Sequence, residues 1–400
     1  MTDDMFMRKV RNYRRELHQI PELGFDLPKT HAYVKQRLTE MGYEPTTIAE
    51  TGLYVYIEGQ SNETIAFRAD MDALSVTEKT QAEYTSRHQG KMHACGHDGH
   101  MAMLLGLAEK LSTFETFNQS ILLIFQPAEE GPGGAETIVN TGLLQHYNVQ
   151  KIFGFHLYPN LEEGKIGLVE GPMMAQNGEF DVFIKGVSSH SAQPQNGRDA
   201  MNAGLKLVQR YQDIVTQMTD PLVPSMIAIG TFNAGEARNV VAQDAQFTGT
   251  IRSFDGDTYN TITDSMKRLA ESVSVGYDVD IRVDIRNFYP AVMNDKALYD
   301  DAVQAIPSHE QAVIKPMMFA EDFAFYQQVV PGLFMMLGTQ KKEQDEVHPL
   351  HSCYFDFDER VLVKGVQTYM RLLYQYNVVD DHYHHIYEKP SKKRPRSISQ

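Results

Sequence analysis

The stretch HACGHDGHMAMLLGLAEKL, residues 93–111, joins two signals in one segment. Its first half crowds His93, Cys95, His97, Asp98 and His100 into eight positions. Its second half carries Met101, Leu104, Leu105, Ala108 and Leu111 at i, i+3, i+4, i+7 and i+10, which predicts a helix with one apolar face starting just after His97-Asp98-Gly99. If residues 93 to 97 are extended, alternate side chains share a face and Cys95 and His97 converge on one ion. A thiolate ligand suits zinc or another borderline-soft divalent metal. Taken alone, the octapeptide also fits a buried structural thiol beside surface histidines.

Working outward, short apolar strands (LYVYIEG, TIAFRAD, SILLIFQ, KIFGFHLYP) alternate with helical patterns through about residue 175. That alternation predicts an α/β layer with a mixed, largely parallel sheet. From 177 to 292 the rhythm becomes strand, helix, strand, strand, helix, strand, the βαββαβ order of a ferredoxin-like unit. Alternation then resumes through AEDFAFYQQVV, GLFMMLG and a closing helix around DERVLVKGVQTYMRLLYQY. The expected organisation is a discontinuous catalytic domain, residues 1–176 and 293–380, interrupted by an inserted domain at 177–292. Residues 381–400, ending in KPSKKRPRSISQ, read as a basic, disordered tail.

Composition bounds the function. The 400 residues are 42% hydrophobic and contain two cysteines, Cys95 and Cys353, too few for a disulfide scaffold. A net charge of −15 argues against a nucleic-acid partner, whose phosphates draw clustered Lys and Arg. No apolar run reaches the roughly 18 residues of a membrane span. MTDDMFMRKVRNYRRELHQ is charged where a signal peptide would be apolar, so a cytoplasmic protein with no membrane partner is expected.

In FQPAEEGPGGAE a buried-looking strand runs into adjacent carboxylates, Glu129 and Glu130, and then a Gly-rich turn. Ligands of α/β folds sit at the carboxyl ends of strands, and consecutive side chains diverge. One carboxylate can therefore bind metal while the other acts as general base. A solvated acidic loop is the ordinary fate of such a pair, but it does not explain the pair's place between strand and glycines. His156 in FGFHLYP and His348 and His351 in VHPLHSCYF are isolated histidines, each more often a satisfied core residue than a ligand. Together these groups supply enough N, O and S donors for two metal ions, the equipment of metal-assisted amide hydrolysis.

With these motifs placed, the chain resembles the dinuclear metallo-amidohydrolases that include aminoacylase, carboxypeptidase G and succinyl-diaminopimelate desuccinylase. It is most similar to the branch of hippurate hydrolases, auxin-conjugate hydrolases and N-acetyldiaminopimelate deacetylases. RRELHQIPELGF, FRADMDALSV, MHACGHDGH, QPAEEGPGGAE, GFHLYP, GTIRSF, AEDFAFY and LHSCYF follow in that family's order over nearly the whole chain.

The resemblance implies two divalent ions per subunit (Zn, Mn, Co or Ni) held by Cys95, His97, Glu130, His156 and His351, with Glu129 as base. Cys95 would stand where other branches use a bridging aspartate. Those branches also carry a His-x-Asp ligand motif where this chain has Asp70-Met71-Asp72; His97 would supply the nitrogen donor, and Asp72 would orient ligands. His93 and His100 would be orienting or structural. The inserted domain would be a lid and homodimer surface, with His190 stabilising the oxyanion and Asn239 and Arg252 holding the substrate carboxylate. Departures occur at Pro194-Gln195, at His351-Ser352-Cys353 and at Leu27, where relatives carry Pro-His, His-Ser-Pro and an acidic residue. They bear on substrate preference and on the surroundings of His351.

The expected activity is hydrolysis of small N-acyl amino acids, with the N-acetyldiaminopimelate deacetylase of lysine biosynthesis as the specific reading. General aminoacylase or hippurate hydrolase and dipeptidase are the alternatives. A metal-bound but inactive binding or regulatory protein is the rival from another class, against which the base Glu129 counts.

Overall fold

Seven consecutive residues, Thr64 to Asp70, are buried in the computed structural model, as a strand covered on both faces must be. The structure describes residues 2–131, 133–341 and 347–379, so the tail expected at 381–400 lies outside the described residues.

The chain runs α1 (Asp3–His18), α2 (Pro28–Glu40), β1 (Thr46–Ile48), β2 (Gly52–Ile57), β3 (Ser61–Asp70), α3 (His97–Leu111), β4 (Gln119–Gln126), α4 (Gly134–Asn140), α5 (Leu143–His146), β5 (Val149–Glu162) and β6 (Ile166–Leu168). It continues through β7 (Gly171–Met174), β8 (Gln176–Lys185), α6 (Ala200–Gln217), β9 (Ser225–Ala234), β10 (Asp244–Ser253), α7 (Gly256–Tyr277), β11 (Asp280–Asn287) and β12 (Val292–Asn294). It closes with α8 (Lys296–Ala305), β13 (Gln311–Val313), α9 (Ala324–Gln327), β14 (Gly332–Gln340) and α10 (Val361–Gln375). No described helix is long and apolar enough to cross a membrane.

Two compact units result. The first comprises Met1–Val169, Asp295–Ile314 and Val329–Gln400, and is built on an eight-stranded sheet in the order β1-β2-β4-β3-β5-β14-β6-β13. Its centre is parallel: β4 with β3, β3 with β5, and β5 with β14. Asp70 pairs with Gln126, and the last β3–β5 pair is Arg68 with Gly154, so Asp70, Gln126 and His156 stand at one level of the sheet. That level lies at the carboxyl ends of β3 and β4, where α/β folds place their ligands.

Helix α3 departs from the one-faced helix that its spacing predicts. Every residue from His97 to Ala108 is buried, because α3 lies among the sheet, α1 and α10. Such a helix is apolar all round rather than along one stripe. Gly106 permits the close approach: a Cβ there would come 2.9 Å from Val366 Cγ2 and 3.0 Å from Val10 Cγ2.

The second unit, Glu170–Asn294 with Lys315–Gln328, contains the βαββαβ pattern as an antiparallel sheet in the order β11-β8-β10-β9. Helices α6 and α7 pack on it through Leu207, Tyr211, Tyr259 and Met266 against Phe180, Val182 and Phe247. The unit also takes in stretches outside 177–292. Strand β7 pairs with β12, and Met317 N–H donates to Met173 O at 2.8 Å, drawing residues 315–328 alongside.

Candidate metal centre

His97 is the first residue of α3, and Gly96 before it turns the chain with φ 88°, in the left-handed region that glycine adopts freely. A Cβ at Gly96 would meet Leu157 Cδ1 at 2.9 Å. The turn brings Cys95 against β5, with its Sγ 3.4 Å from His156 Nε2. His156 donates from Nδ1 to Leu157 O at 2.7 Å, so its Nε2 lone pair faces the thiol.

Asp72 organises the other side. Its Oδ1 accepts from Glu129 N–H at 2.9 Å and its Oδ2 from Glu130 N–H at 3.1 Å, which fixes the backbone of both carboxylates. The same Oδ1 lies 3.5 Å from His97 Nδ1. His97 Nε2 then faces Asp70 Oδ2 at 3.7 Å, Glu129 Oε2 at 3.7 Å and Glu130 Oε1 at 4.0 Å. Glu130 Oε1 is also 3.2 Å from Nε2 of His351, an exposed histidine held at φ 67°.

Among the described residues, the groups with donor atoms within 4.8 Å of one another include Cys95, His97 and His156; Cys95, Glu130 and His351; and His97, Glu129 and Glu130. The triad of Asp70, His97 and His100 is equally close, but His100 is already spent. Its Nδ1 donates to Asp70 Oδ1 at 2.6 Å and its Nε2 accepts from Leu157 N–H at 2.9 Å.

A divalent cation fits these residues. Both ring nitrogens of His97 and the Oε1 of Glu130 are buried without a hydrogen bond, a costly state for polar atoms. Ligands around zinc at about 2.1 Å stand roughly 3.4 Å apart, close to the spacings around His97 Nε2. Electrostatics agree. Burial, with Glu130 and Glu129 adding to it, pushes the Cys95 thiol well above its ordinary value, and a cation held there would oppose that. Burial opposes charge on His97, yet Asp70, Asp72 and Glu130 push its pKa up to about 10. His156 is pushed down to about 3 by burial and by His100, which keeps it a neutral donor.

The remaining candidates lie in the second unit. The backbone at His190 bridges to Val240, and Ser191 N–H donates to Asn239 O at 3.0 Å, so His190 and Asn239 are neighbours. Ala192 N–H donates to His190 Nδ1 at 3.1 Å, which leaves the proton on Nε2. Arg252 lies near the far end of β10 and donates from Nη1 to Met318 O at 2.7 Å. Asp244 and Arg252 are eight steps apart on that strand, roughly 26 Å at about 3.3 Å per residue.

The family model for Peptidase family M20/M25/M40 matches residues 66–375. The chain belongs to peptidase family M20/M25/M40. It is similar to an uncharacterised hydrolase of Staphylococcus haemolyticus, 37% identical over 374 residues that span 92% of this chain and 98% of the relative. A Staphylococcus epidermidis hydrolase is 35% identical over the same shares. Among solved structures it resembles the Bacillus subtilis YXEP protein, a dinuclear metal-binding peptidase of the M20 family, with a TM-score of 0.82, 31% identity, and 93% and 98% of the two chains covered. Family, donor groups and this likeness together make the chain a metal-dependent M20 hydrolase.

For this M20 chain, the geometry brings together Cys95, His97, Glu129, Glu130, His156 and His351, with Asp72 holding the backbone of the two glutamates. It leaves His348 outside the described donor groups, its ring 5.4 Å from that of Tyr354. His93 is also outside them, buried without a hydrogen bond and pushed down to about 3 by burial. Sequence reasoning did not pair Arg14 with Asp98, whose Oδ2 accepts from Arg14 Nε at 2.8 Å. The available signal was an Arg and a His four residues apart, Arg14 and His18, on the helical face that carries Val10 and Leu17.

Proposed function

We propose that this M20 hydrolase cleaves the amide bond of N-acyl amino acids, with N-acetyldiaminopimelate as the specific substrate and two divalent ions per subunit. The observation that carries the reading is the adjacent pair Glu129 and Glu130, anchored by Asp72 beside the donors Cys95, His97 and His156. Cys95, His97, Glu130, His156 and His351 would hold the ions. Divalent cations held there supply Lewis acidity, polarising a carbonyl and making a water more acidic.

Glu129 takes a proton from the attacking water as its oxygen bonds to the acyl carbon. His190, with its proton on Nε2, donates to the developing oxyanion. Glu129 then passes the proton to the leaving nitrogen as the C–N bond breaks, giving a carboxylate and a free amine. Asn239 and Arg252 bind the substrate's α-carboxylate.

The arrangement in the second unit favours a homodimer in which each site draws on both copies. The acyl carbonyl and α-carboxylate of one N-acyl amino acid lie only about 3 to 4 Å apart. His190 and Asn239 stand together, but roughly 26 Å of strand separates that end of the unit from Arg252. A second copy would let His190 and Asn239 of one chain meet Arg252 of the other on one substrate.

The test is a hydrolysis panel on manganese- or zinc-loaded protein with N-acetyldiaminopimelate, N-acetylmethionine, hippurate and Ala-Gly. The highest kcat/KM is expected for N-acetyldiaminopimelate. Preference for N-acetylmethionine or hippurate would make it a general aminoacylase, and preference for Ala-Gly a dipeptidase. Bound metal without turnover of any would favour a binding protein.

A further inference from the structure

Arg14 is fully buried in α1, and its guanidinium reaches two segments that are distant in sequence. Nε donates to Asp98 Oδ2 at 2.8 Å, and Nη2 donates to Asp356 Oδ1 at 2.8 Å. Asp98 adjoins His97, and Asp356 lies five residues beyond His351. The chain from His351 to Asp356 is itself a tight run: Ser352 N–H donates to Pro349 O at 3.1 Å and Phe355 N–H to Ser352 O at 3.0 Å.

The guanidinium plane is fixed as well as its charge. It lies 4.8 Å from the ring centroid of Tyr84 and 4.5 Å from that of Phe357. Tyr84 in turn donates from its hydroxyl to Asp356 Oδ2 at 2.9 Å. His18, four residues along the same helix, adds a second contact to Asp98 Oδ2, from Nδ1 at 2.8 Å.

Burying an ion network is a poor way to gain stability, since desolvation offsets most of the attraction and apolar residues of similar volume often do as well. What the network does accomplish is geometric. Its two arms end beside two segments that carry proposed ligands, and a planar fork holds both at set angles.

We infer that Arg14 is a positioning residue of the metal centre, holding the His97 segment through Asp98 and the His351 segment through Asp356. This rests on the metal-centre reading given above. Each arm then has its own effect: the Asp98 arm aligns His97, and the Asp356 arm aligns His351.

The test is titration of chelator-stripped protein with Zn²⁺ against a chromophoric chelator, which counts equivalents and ranks their affinities. Wild-type protein is expected to take two equivalents. Asp356→Asn is expected to hold one normally and to bind the other up to about 10-fold more weakly, at the low end of the roughly 10- to 100-fold lost when a group bonded directly to a ligand is removed. Arg14→Lys, which keeps the charge but loses the fork, is expected to weaken both.

Val10→Ala, buried one turn before Arg14 in α1 but contributing no polar group to the network, is the control. It is expected to lower the melting temperature and leave both affinities unchanged. Wild-type affinities in Arg14→Lys and Asp356→Asn would overturn the inference. So would equal weakening in Val10→Ala, which would reduce the network to a fold support. If wild-type protein bound no Zn²⁺ at all, the metal-centre reading itself would fall, a result distinct from the other two. Should Arg14→Lys not fold, Asp356→Asn alone carries the decision.

Discussion

Glu129 and Glu130 are neighbours in sequence with different surroundings. Both face His97 Nε2, but Glu130 also lies against His351 and Cys95, whereas Glu129 does not share a described donor group with either. Glu129→Gln should therefore keep its metal and lose turnover, by on the order of 100- to 10,000-fold, because the amide keeps the shape and removes the base. Metal analysis beside kcat checks this, and an empty Glu129→Gln with a loaded Glu130→Gln would reverse the two roles. Cys95→Ser should weaken metal binding and activity while Cys353→Ser does much less, since only Cys95 falls within the described donor groups. Zn²⁺ should slow alkylation by iodoacetamide at Cys95 and not at Cys353, as peptide mapping would report. Cys95 and His97 were legible as a pair, but the extended run expected over residues 93–97 is replaced by a turn at 94–96, with Gly96 at φ 88°, and that turn rather than strand alternation brings the two together. His156 was ambiguous as a lone strand histidine, and only its bond to Leu157 O shows which nitrogen is available. Arg14 was illegible because its partners lie 84 and 342 residues away.

At the scale of elements, the strand runs TIAFRAD and SILLIFQ were readable because an interior strand is apolar on both faces. The all-round burial of α3 was not, because periodicity reports the strongest stripe and does not say that a second layer of helices covers the rest. Element joints also depend on buried ion pairs that no local pattern announces. Glu310, just before β13, accepts from Lys364 and Arg371, which lie seven residues apart on α10. Burial opposes its charge, but Arg371 and Lys364 hold its carboxyl below the usual carboxylate value. A depressed folded pKa stabilises the fold above the unfolded value, about 4.3, and that contribution fades as pH falls through the folded value. Glu310→Gln should accordingly melt lower than wild type at pH 7, by about 1.5 to 3 kcal/mol of stability. The gap should narrow below pH 4. A gap that stayed constant from pH 7 to 3 would mean that packing, and not charge, makes the joint.

The whole molecule repeats the contrast between local pattern and distant contact. The change of rhythm at 177 made the ferredoxin-like unit visible, whereas residues 315–328 join that unit through backbone bonds to Met173 and Ala175, far back in the chain. Nor could spacing reveal that His190 and Asn239 adjoin while Arg252 stands at the other end of β10. That separation has a consequence for the assembled protein. If each site joins Glu129 of one copy to His190 of the other, two inactive variants can repair each other. In a dimer of one His190→Ala chain and one Glu129→Gln chain, the first supplies Glu129 and the second supplies His190, so one of the two sites has both groups intact. Equal amounts mixed under subunit exchange make half the dimers mixed, so up to roughly a quarter of wild-type activity should return. The parents alone should stay inactive. Exchange must be followed independently, by mass or by a fluorescent label, because slow exchange would mimic failure. Mixed dimers that form and remain inactive would mean that each copy builds its site alone, and that closing motions within one chain, rather than a partner, bring His190 to the substrate.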